Sequence, residues 1–193
     1  MHRSVRTALF CLLAPAALGS AQEGAPRPVA EPTPAVLIDH NESVFSGTRK
    51  IVLRAAELMP QEGYSFRPAE SVRTYGQILE HIADSQYAFC SIVLGEESPA
   101  PDVEEPAGSK TGLIQALEEA FDYCGRAHAG MTGAAASELV TFQGAPEPRL
   151  GVLYVNQVHT IEHYGNLITY LRMNGIVPPT SDPEFMQQIY GNR

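Results

Sequence analysis

Apolar side chains recur along most of this chain with the period of an α-helix, and this periodicity constrains the fold more than any other feature. Spacings of three, four and seven residues place side chains on one face of a helix. Four long stretches carry such a stripe, and no strand-like alternation persists between them. Representative positions are Leu37, Val44, Ile51 and Leu58; Ile78, Ile82, Phe89 and Val93; Leu113, Leu117, Phe121 and Cys124; and Val152, Val155 and Tyr170. The pattern predicts an all-α four-helix bundle.

The first two predicted helices have clear start and stop signals. The first begins at Thr33, a capping hydroxyl that is followed by a proline, and it ends at Pro60. The second begins at Thr74, where Gln77 three residues later completes a capping box, and Gly95 ends it. These signals predict two long helices.

The second half of the chain is organised in the same way. Ser109 is the predicted N-cap of the third helix, and residues 144–148 predict a turn. The fourth helix is predicted over residues 150–174, with Gly175 in a left-handed C-cap position. A short amphipathic C-terminal helix over residues 184–190 is expected to pack on the end of the bundle.

The N-terminal residues have the features of a secretory signal peptide. Arg3 and Arg6 form a basic start, residues 8–18 are apolar but too short to span a membrane, and small residues lead up to Ala21. We therefore expect residues 1–21 to be removed on export, which makes the protein periplasmic or secreted. No other segment approaches the length of a transmembrane helix, so no stable membrane anchor is expected.

The remaining chain divides into a linker and one domain. Residues 22–34 are rich in proline and poor in large apolar side chains, which predicts a flexible linker. Residues 35–193 have a common length for one domain with a core. Without Arg3 and Arg6 the chain has 11 basic residues against 22 acidic ones, a formal charge of −11. Because phosphate binding needs clustered Lys and Arg, nucleic acid is excluded as an expected partner.

Two cysteines remain after the leader, and their state is open at this stage. Cys90 and Cys124 could form a disulfide in an oxidising compartment, or they could be two buried free thiols. Residues 96–108 lie between them in sequence and are rich in proline and carboxylates, which predicts a solvated loop.

Three histidines are the main candidates for chemistry. His159 and His163 are four residues apart, so they project from the same side of the fourth helix. His81 lies on the inward-facing side of the second helix and could supply a third metal ligand. Three protein ligands and one open position are typical of catalytic zinc sites. Asp84 and Asn166 share these faces and are candidate partners for the ligands in the second coordination shell. On a helical wheel of the fourth helix, Asn156 and Glu162 flank the face of the two histidines and are further candidates.

Other interpretations of the histidines stay open. An i,i+4 pair also arises by chance, and residues 159–163 match the H-x-x-E-H signature of inverted zinc peptidases, in which Glu162 would be the general base. His128, near the end of the third helix, is expected to be exposed or to interact with the helix end. His40 is expected on the polar surface.

Segments in both halves of the chain resemble the DinB-like (YfiT-like) family of metal-binding bundles. Residues 64–70 and 74–83, with His81 in the run Ile-Leu-Glu-His-Ile-Ala, are similar to the first half of that family. Residues 159–167 and the exit Gly-Ile-Val-Pro-Pro at 175–179 are similar to its fourth helix. The resemblance implies an up-down-down-up bundle in which His81, His159 and His163 bind a divalent transition metal, with zinc or nickel favoured.

The resemblance implies several activities and does not select one. Some relatives are thiol-dependent transferases or isomerases, and others are assigned as hydrolases. We therefore expect a metal-dependent hydrolase or transferase with Glu162 as the candidate catalytic residue, or else a metal-binding or interaction protein without turnover. The expected partner is an unidentified small-molecule substrate, and a homodimer is a possible assembly.

Overall fold

The computed structural model of the protein describes residues 33–99 and 109–191. The predicted leader, residues 22–32 of the predicted linker and residues 100–108 of the predicted solvated loop lie outside the described residues. The elements are α1 (Pro34–Leu58), α2 (Tyr75–Leu94), α3 (Lys110–Ala129), α4 (Gly133–Ala136), β1 (Leu139–Phe142), β2 (Ala145–Pro148), α5 (Arg149–Met173) and α6 (Pro183–Tyr190). Short 3₁₀ turns at Gln61–Ser65 and Pro179–Ser181 connect some of them.

The long helices α1, α2, α3 and α5 form a four-helix bundle. Helix α2 packs against α3 and α5, and α1 packs against the same two helices from the other side. Salt bridges and hydrogen bonds made by side chains show the relative directions of the helices. Arg126 near the end of α3 pairs with Glu96 just after α2, so these helices run parallel. Gln157 early in α5 donates to the carbonyl of Asn41 early in α1, so these also run parallel.

The remaining pairs are antiparallel, which completes the arrangement. Lys110 at the start of α3 donates to the carbonyl of Met59 just after α1. Tyr170 near the end of α5 donates to the carbonyl of Arg73 just before α2. The fold is therefore an up-down-down-up bundle with a short C-terminal helix, and the predicted fold class is confirmed.

Most of the predicted helix ends are confirmed. The Thr74 hydroxyl accepts from the Gln77 backbone N–H, and the Gln77 side chain accepts in return, so the capping box is present. Ser109 caps α3 by accepting from the N–H of Gly112. Thr33 occupies the N-cap position of α1, but its side chain makes no capping hydrogen bond, so that detail of the prediction is wrong.

The segment before α5 is a β-hairpin, whereas the sequence predicted only a turn and no strand. Strands β1 and β2 pair antiparallel from Leu139 with Pro148 to Phe142 with Ala145. The connecting residues Gln143 and Gly144 both have positive φ, 48° and 81°, as in the primed turns that suit hairpins. Four residues per strand are too few for a visible alternation, which is why the pattern was missed.

The core lies between the four long helices and includes the two cysteines. Cys90 of α2 and Cys124 of α3 form a disulfide with a Cα–Cα distance of 5.1 Å, and both residues are fully buried. Of the two alternatives left open by the sequence, the structure has the disulfide. Among the described residues, none of the helices combines the length and the apolar character that a membrane span requires.

Candidate metal centre

Three histidines from two helices converge at one point in the bundle. His81 lies on α2, and His159 and His163 lie one turn apart on α5. The Nε2 atom of His159 is 3.2 Å from that of His81 and 3.1 Å from that of His163. All three side chains are half-buried. The structure therefore brings together the three residues that the sequence singled out.

The spacing of these nitrogens fits a shared metal ion. Ligand atoms held about 2.0–2.1 Å from a tetrahedral zinc ion lie about 3.3 Å from one another. The two Nε2–Nε2 distances of 3.1 and 3.2 Å are close to that value. Within the described residues, this is the one group of three or more His, Cys, Asp or Glu side chains with ligand atoms this close together. The donor set, three imidazoles, suits zinc, nickel, copper or iron.

Hydrogen bonding alone explains this cluster poorly. A neutral imidazole nitrogen is either a donor or an acceptor, and it has one lone pair in the ring plane. The single lone pair of His159 Nε2 cannot form two good hydrogen bonds with both neighbours. A cation placed between the three nitrogens would accept all three lone pairs.

Burial favours the form of His159 and His163 that a metal requires. Desolvation, and then the neighbouring His163, lowers the pKa of His159. Desolvation, and then His81, lowers the pKa of His163. A lowered histidine pKa favours the neutral ring, whose free lone pair is the ligating group.

Two aromatic rings pack in series beside His159. The Phe89 ring lies 5.6 Å from the His159 ring, and Phe142 of the hairpin packs on Phe89 at 5.4 Å. The Nδ1 atom of His159 is buried and has no hydrogen-bond partner among the described residues. A ligating histidine usually donates from its second nitrogen, so this orphaned atom departs from the common pattern.

A buried amide network lies one turn from the ligands and joins their two helices. Gln86 of α2 donates to the Thr160 hydroxyl at 2.9 Å, and Asn156 of α5 donates back to Gln86 at 2.9 Å. Asn156 also donates to the sulfur of Cys124 at 3.3 Å. Because these groups are almost fully buried, the network sets the position of α2 relative to α5 and so of His81 relative to the other two histidines.

The sequence identified only part of this network. Asn156 flanked the predicted metal-binding face, but Gln86 was missed, because an amide within an apolar helix shows its role only when its partner on the other helix is known. Asn166, expected on the buried face as a partner of the ligands, is exposed instead. It lies on the wall of a cavity beside His163.

The two acidic candidates lie on the ligand helices. Asp84 is half-buried, three residues after His81. Glu162 is exposed and precedes His163 directly. Desolvation and the neighbouring imidazole are the larger influences on the pKa of His159 and of His163, and both lower it. The negative charge of Glu162 is the next influence, and it raises the pKa of both histidines. Glu162 is therefore close enough to influence the protonation of the site.

A cavity of about 590 Å³ opens beside the histidines. His163 forms part of its wall together with Arg73, Gln77, Asn166 and Tyr170. This volume is within the usual range for sites that bind small molecules. A molecule in the cavity would therefore lie against one of the three histidines.

The other two histidines of the described residues lie outside the cluster. His40 is exposed, as expected. His128 is 3% exposed and stacks on the Phe45 ring at a centroid distance of 4.0 Å, so the expectation of exposure was wrong. The end of α3 packs against α1, and the amphipathic imidazole fills a core position there.

The fold and the site together define a class of protein, the helical bundles with a three-histidine cluster between two facing helices. The family model of the DinB superfamily matches residues 45–167. This chain therefore belongs to the DinB superfamily, and the resemblance seen in the sequence is confirmed. No curated protein matches this chain.

Two solved structures are similar to this bundle. A DinB-like protein from Bacillus cereus ATCC 10987 matches with a TM-score of 0.63 and 16% identity, over 75% of this chain and 95% of that chain. The DinB-like protein YjoA from Bacillus subtilis matches with a TM-score of 0.60 and 23% identity, over 70% of this chain and 92% of that chain. At these identities the likeness shows the fold.

Proposed function

We propose that the protein binds one divalent transition-metal ion, zinc or nickel, through the Nε2 atoms of His81, His159 and His163. The observation that supports this proposal is the convergence of the three nitrogens at distances of 3.1 and 3.2 Å. Burial adds support, because it favours the neutral imidazoles that bind metals. Asp84 and Asn166, the other residues expected near the ligands, have no direct ligand role in this proposal.

We further propose that the site is catalytic, as a metal-dependent hydrolase or transferase. Three protein ligands leave at least one coordination position for substrate, and the cavity beside His163 offers a route to it. A storage site would be expected to be closed. The metal would supply Lewis acidity. Glu162 is the residue that we assign to proton transfer, because its exposed carboxylate adjoins His163.

Metal analysis of the purified protein tests the site directly. The wild type, dialysed against a metal-buffered solution, should retain about one equivalent of metal, measured by elemental analysis. The double variant His159→Ala, His163→Ala should retain almost none, because one histidine ligand binds too weakly. His40→Ala removes an exposed histidine and is the matched control, with wild-type metal content. Equal metal content in the wild type and the double variant would contradict the site.

We also propose that the protein is exported. The signal-peptide pattern of residues 1–21 supports this, and the disulfide between Cys90 and Cys124 is compatible with an oxidising compartment. The intact mass of the protein expressed from its full chain tests it. Cleavage after Ala21 would give a protein that begins at Gln22. A mass that still includes residues 1–21 would contradict the proposal.

A further inference from the structure

The cavity beside His163 has a mixed wall of polar and apolar side chains. Arg73 and Glu70 contribute opposite charges, and Ser71, Gln77 and Asn166 contribute hydrogen-bonding groups. The apolar part of the wall comes from Val72, Ile78 and Tyr170. In sites of this kind the apolar surface contacts the ligand, while a few polar groups fix its orientation.

Arg73 is held in a defined place relative to the histidines. It directly precedes Thr74, the N-cap of α2. Its backbone carbonyl accepts a hydrogen bond of 3.0 Å from Tyr170, a buried residue of α5. Since α5 also holds His159 and His163, this bond ties the backbone of Arg73 to the helix that provides two of the three histidines.

The cavity connects Arg73 to the three-histidine cluster. Arg73 and His163 both line this cavity, which has a volume of about 590 Å³. That volume is within the usual range for sites that bind small molecules. A molecule that contacts both Arg73 and His163 is therefore small.

We propose that the cavity binds a small substrate with one carboxylate group, which Arg73 holds while the reacting end of the substrate faces the three histidines. This inference rests on the proposed metal site. The planar guanidinium pairs with a carboxylate through two parallel hydrogen bonds. Glu70 in the same wall offsets part of the positive charge, and this balance favours a monoanionic carboxylate over a dianionic phosphate.

A pair of matched ligands tests the proposal. The metal-free protein is loaded with Co²⁺, whose visible absorption reports changes in its ligands. It is then titrated with the monohydroxamate of succinic acid and with the neutral amide of the same compound. The hydroxamate group binds the metal in both, so the difference in affinity reports the carboxylate. We expect the wild type to bind the carboxylate compound about tenfold more tightly, as for one charge-assisted hydrogen-bonded pair at a partly exposed site.

Two variants separate Arg73 from general effects of charge. Arg73→Gln should bind Co²⁺ normally but lose the tenfold preference, because glutamine lacks the positive charge and the bond from Tyr170 uses the backbone carbonyl of residue 73. Arg54→Gln is the matched control. Arg54 is a partly exposed arginine of α1 that pairs with Glu57, and it does not line the cavity, so its loss should leave the preference unchanged.

Each of the following results would contradict a specific part of the proposal. A wild type that binds no Co²⁺ would overturn both the metal site and this inference. Normal Co²⁺ binding without a carboxylate preference, or with a preference that survives in Arg73→Gln, would overturn this inference alone. Tighter binding of the corresponding phosphonate than of the carboxylate compound would replace a carboxylate by a phosphate-like substrate.

Discussion

At the scale of single residues, burial decides the protonation state of histidine in this protein. His128 lies against Phe45 in the core, and desolvation lowers its pKa from 6.5 to about 4. Its Nε2 atom is buried and has no hydrogen-bond partner among the described residues. A protonated His128 would place an unpaired charge in the core, so the folded protein keeps the ring neutral.

We predict that His128 makes the folded state less stable in mild acid. Between pH 6.5 and about pH 4 the unfolded chain binds a proton at this ring and the folded protein does not, so stability falls as the pH falls through this interval. From pH 7 to pH 4.5 the loss due to His128 should be about 2 kcal/mol. The variant His128→Leu has no ring to protonate at this position, so its loss of stability between the two pH values should be smaller than that of the wild type by this amount. Urea unfolding of the metal-free proteins at both pH values measures the difference.

The exposed His40 provides the control for this experiment. His40→Leu should show the same loss of stability between the two pH values as the wild type. If His128→Leu and the wild type lose equal stability, the low pKa of His128 is contradicted.

The two asparagines of α5 show how far a helical wheel can resolve single residues. The wheel placed Asn166 on the inward face and Asn156 at its edge, yet Asn156 is 1% exposed and Asn166 is exposed. The predicted face was nearly correct in direction. Which amide is buried depends on the rotation of α5 against α2, and that rotation is set by the packing of the two helices.

At the scale of secondary-structure elements, the helix ends were more predictable than the connections. The capping box at Thr74 and the cap at Ser109 act within three residues, so their signals are local. The hairpin depends on pairing between strands and on its contact with α2 through Phe142 and Phe89. No local signal reports that contact.

The disulfide links two elements, and we predict a large effect when it is removed. Cys90 of α2 and Cys124 of α3 are separated by 34 residues. Closing a loop of this length restricts the unfolded chain and should contribute about 4 kcal/mol to the free energy of unfolding. The double variant Cys90→Ala, Cys124→Ala should therefore unfold at a lower urea concentration, and its free energy of unfolding should be lower by that amount.

Reduced wild-type protein is the matched comparison for the disulfide. Wild type that is unfolded and refolded in reductant should unfold close to the double variant, because both lack the same cross-link. A double variant as stable as the oxidised wild type would contradict the prediction.

At the scale of the whole molecule, metal binding and folding should be coupled. His81 and His159 are 78 residues apart in sequence, so the three ligands meet only in the folded bundle. A ligand that binds only the folded state at about 100 times its Kd stabilises it by about 2.7 kcal/mol. For a domain of this size we predict that excess zinc or nickel raises the Tm by about 5–10 °C.

Thermal unfolding with and without added metal measures this effect. The variant His159→Ala, His163→Ala should show almost no increase in Tm, while His40→Ala should show the full increase. An equal increase in the double variant would mean that the metal stabilises the protein at another place.

The sequence by itself determined the features that depend on neighbouring residues: four amphipathic helices, their caps at Thr74 and Ser109, and the pair His159 and His163 on one side of a helix. Periodicity and capping act over one or two helical turns, so they can be read along the chain. The inward-facing position of His81 made it a candidate third ligand, and the family resemblance implied that role, since its partners lie on another helix.

Only the tertiary structure decided which side chains meet across helices. It buried His128 and Asn156, exposed Asn166, paired Cys90 with Cys124 and formed the cavity that Arg73 and His163 both line. Each of these outcomes depends on the relative rotation and position of two helices. Those are set by the sum of many packing contacts over the whole bundle, which no short stretch of sequence contains.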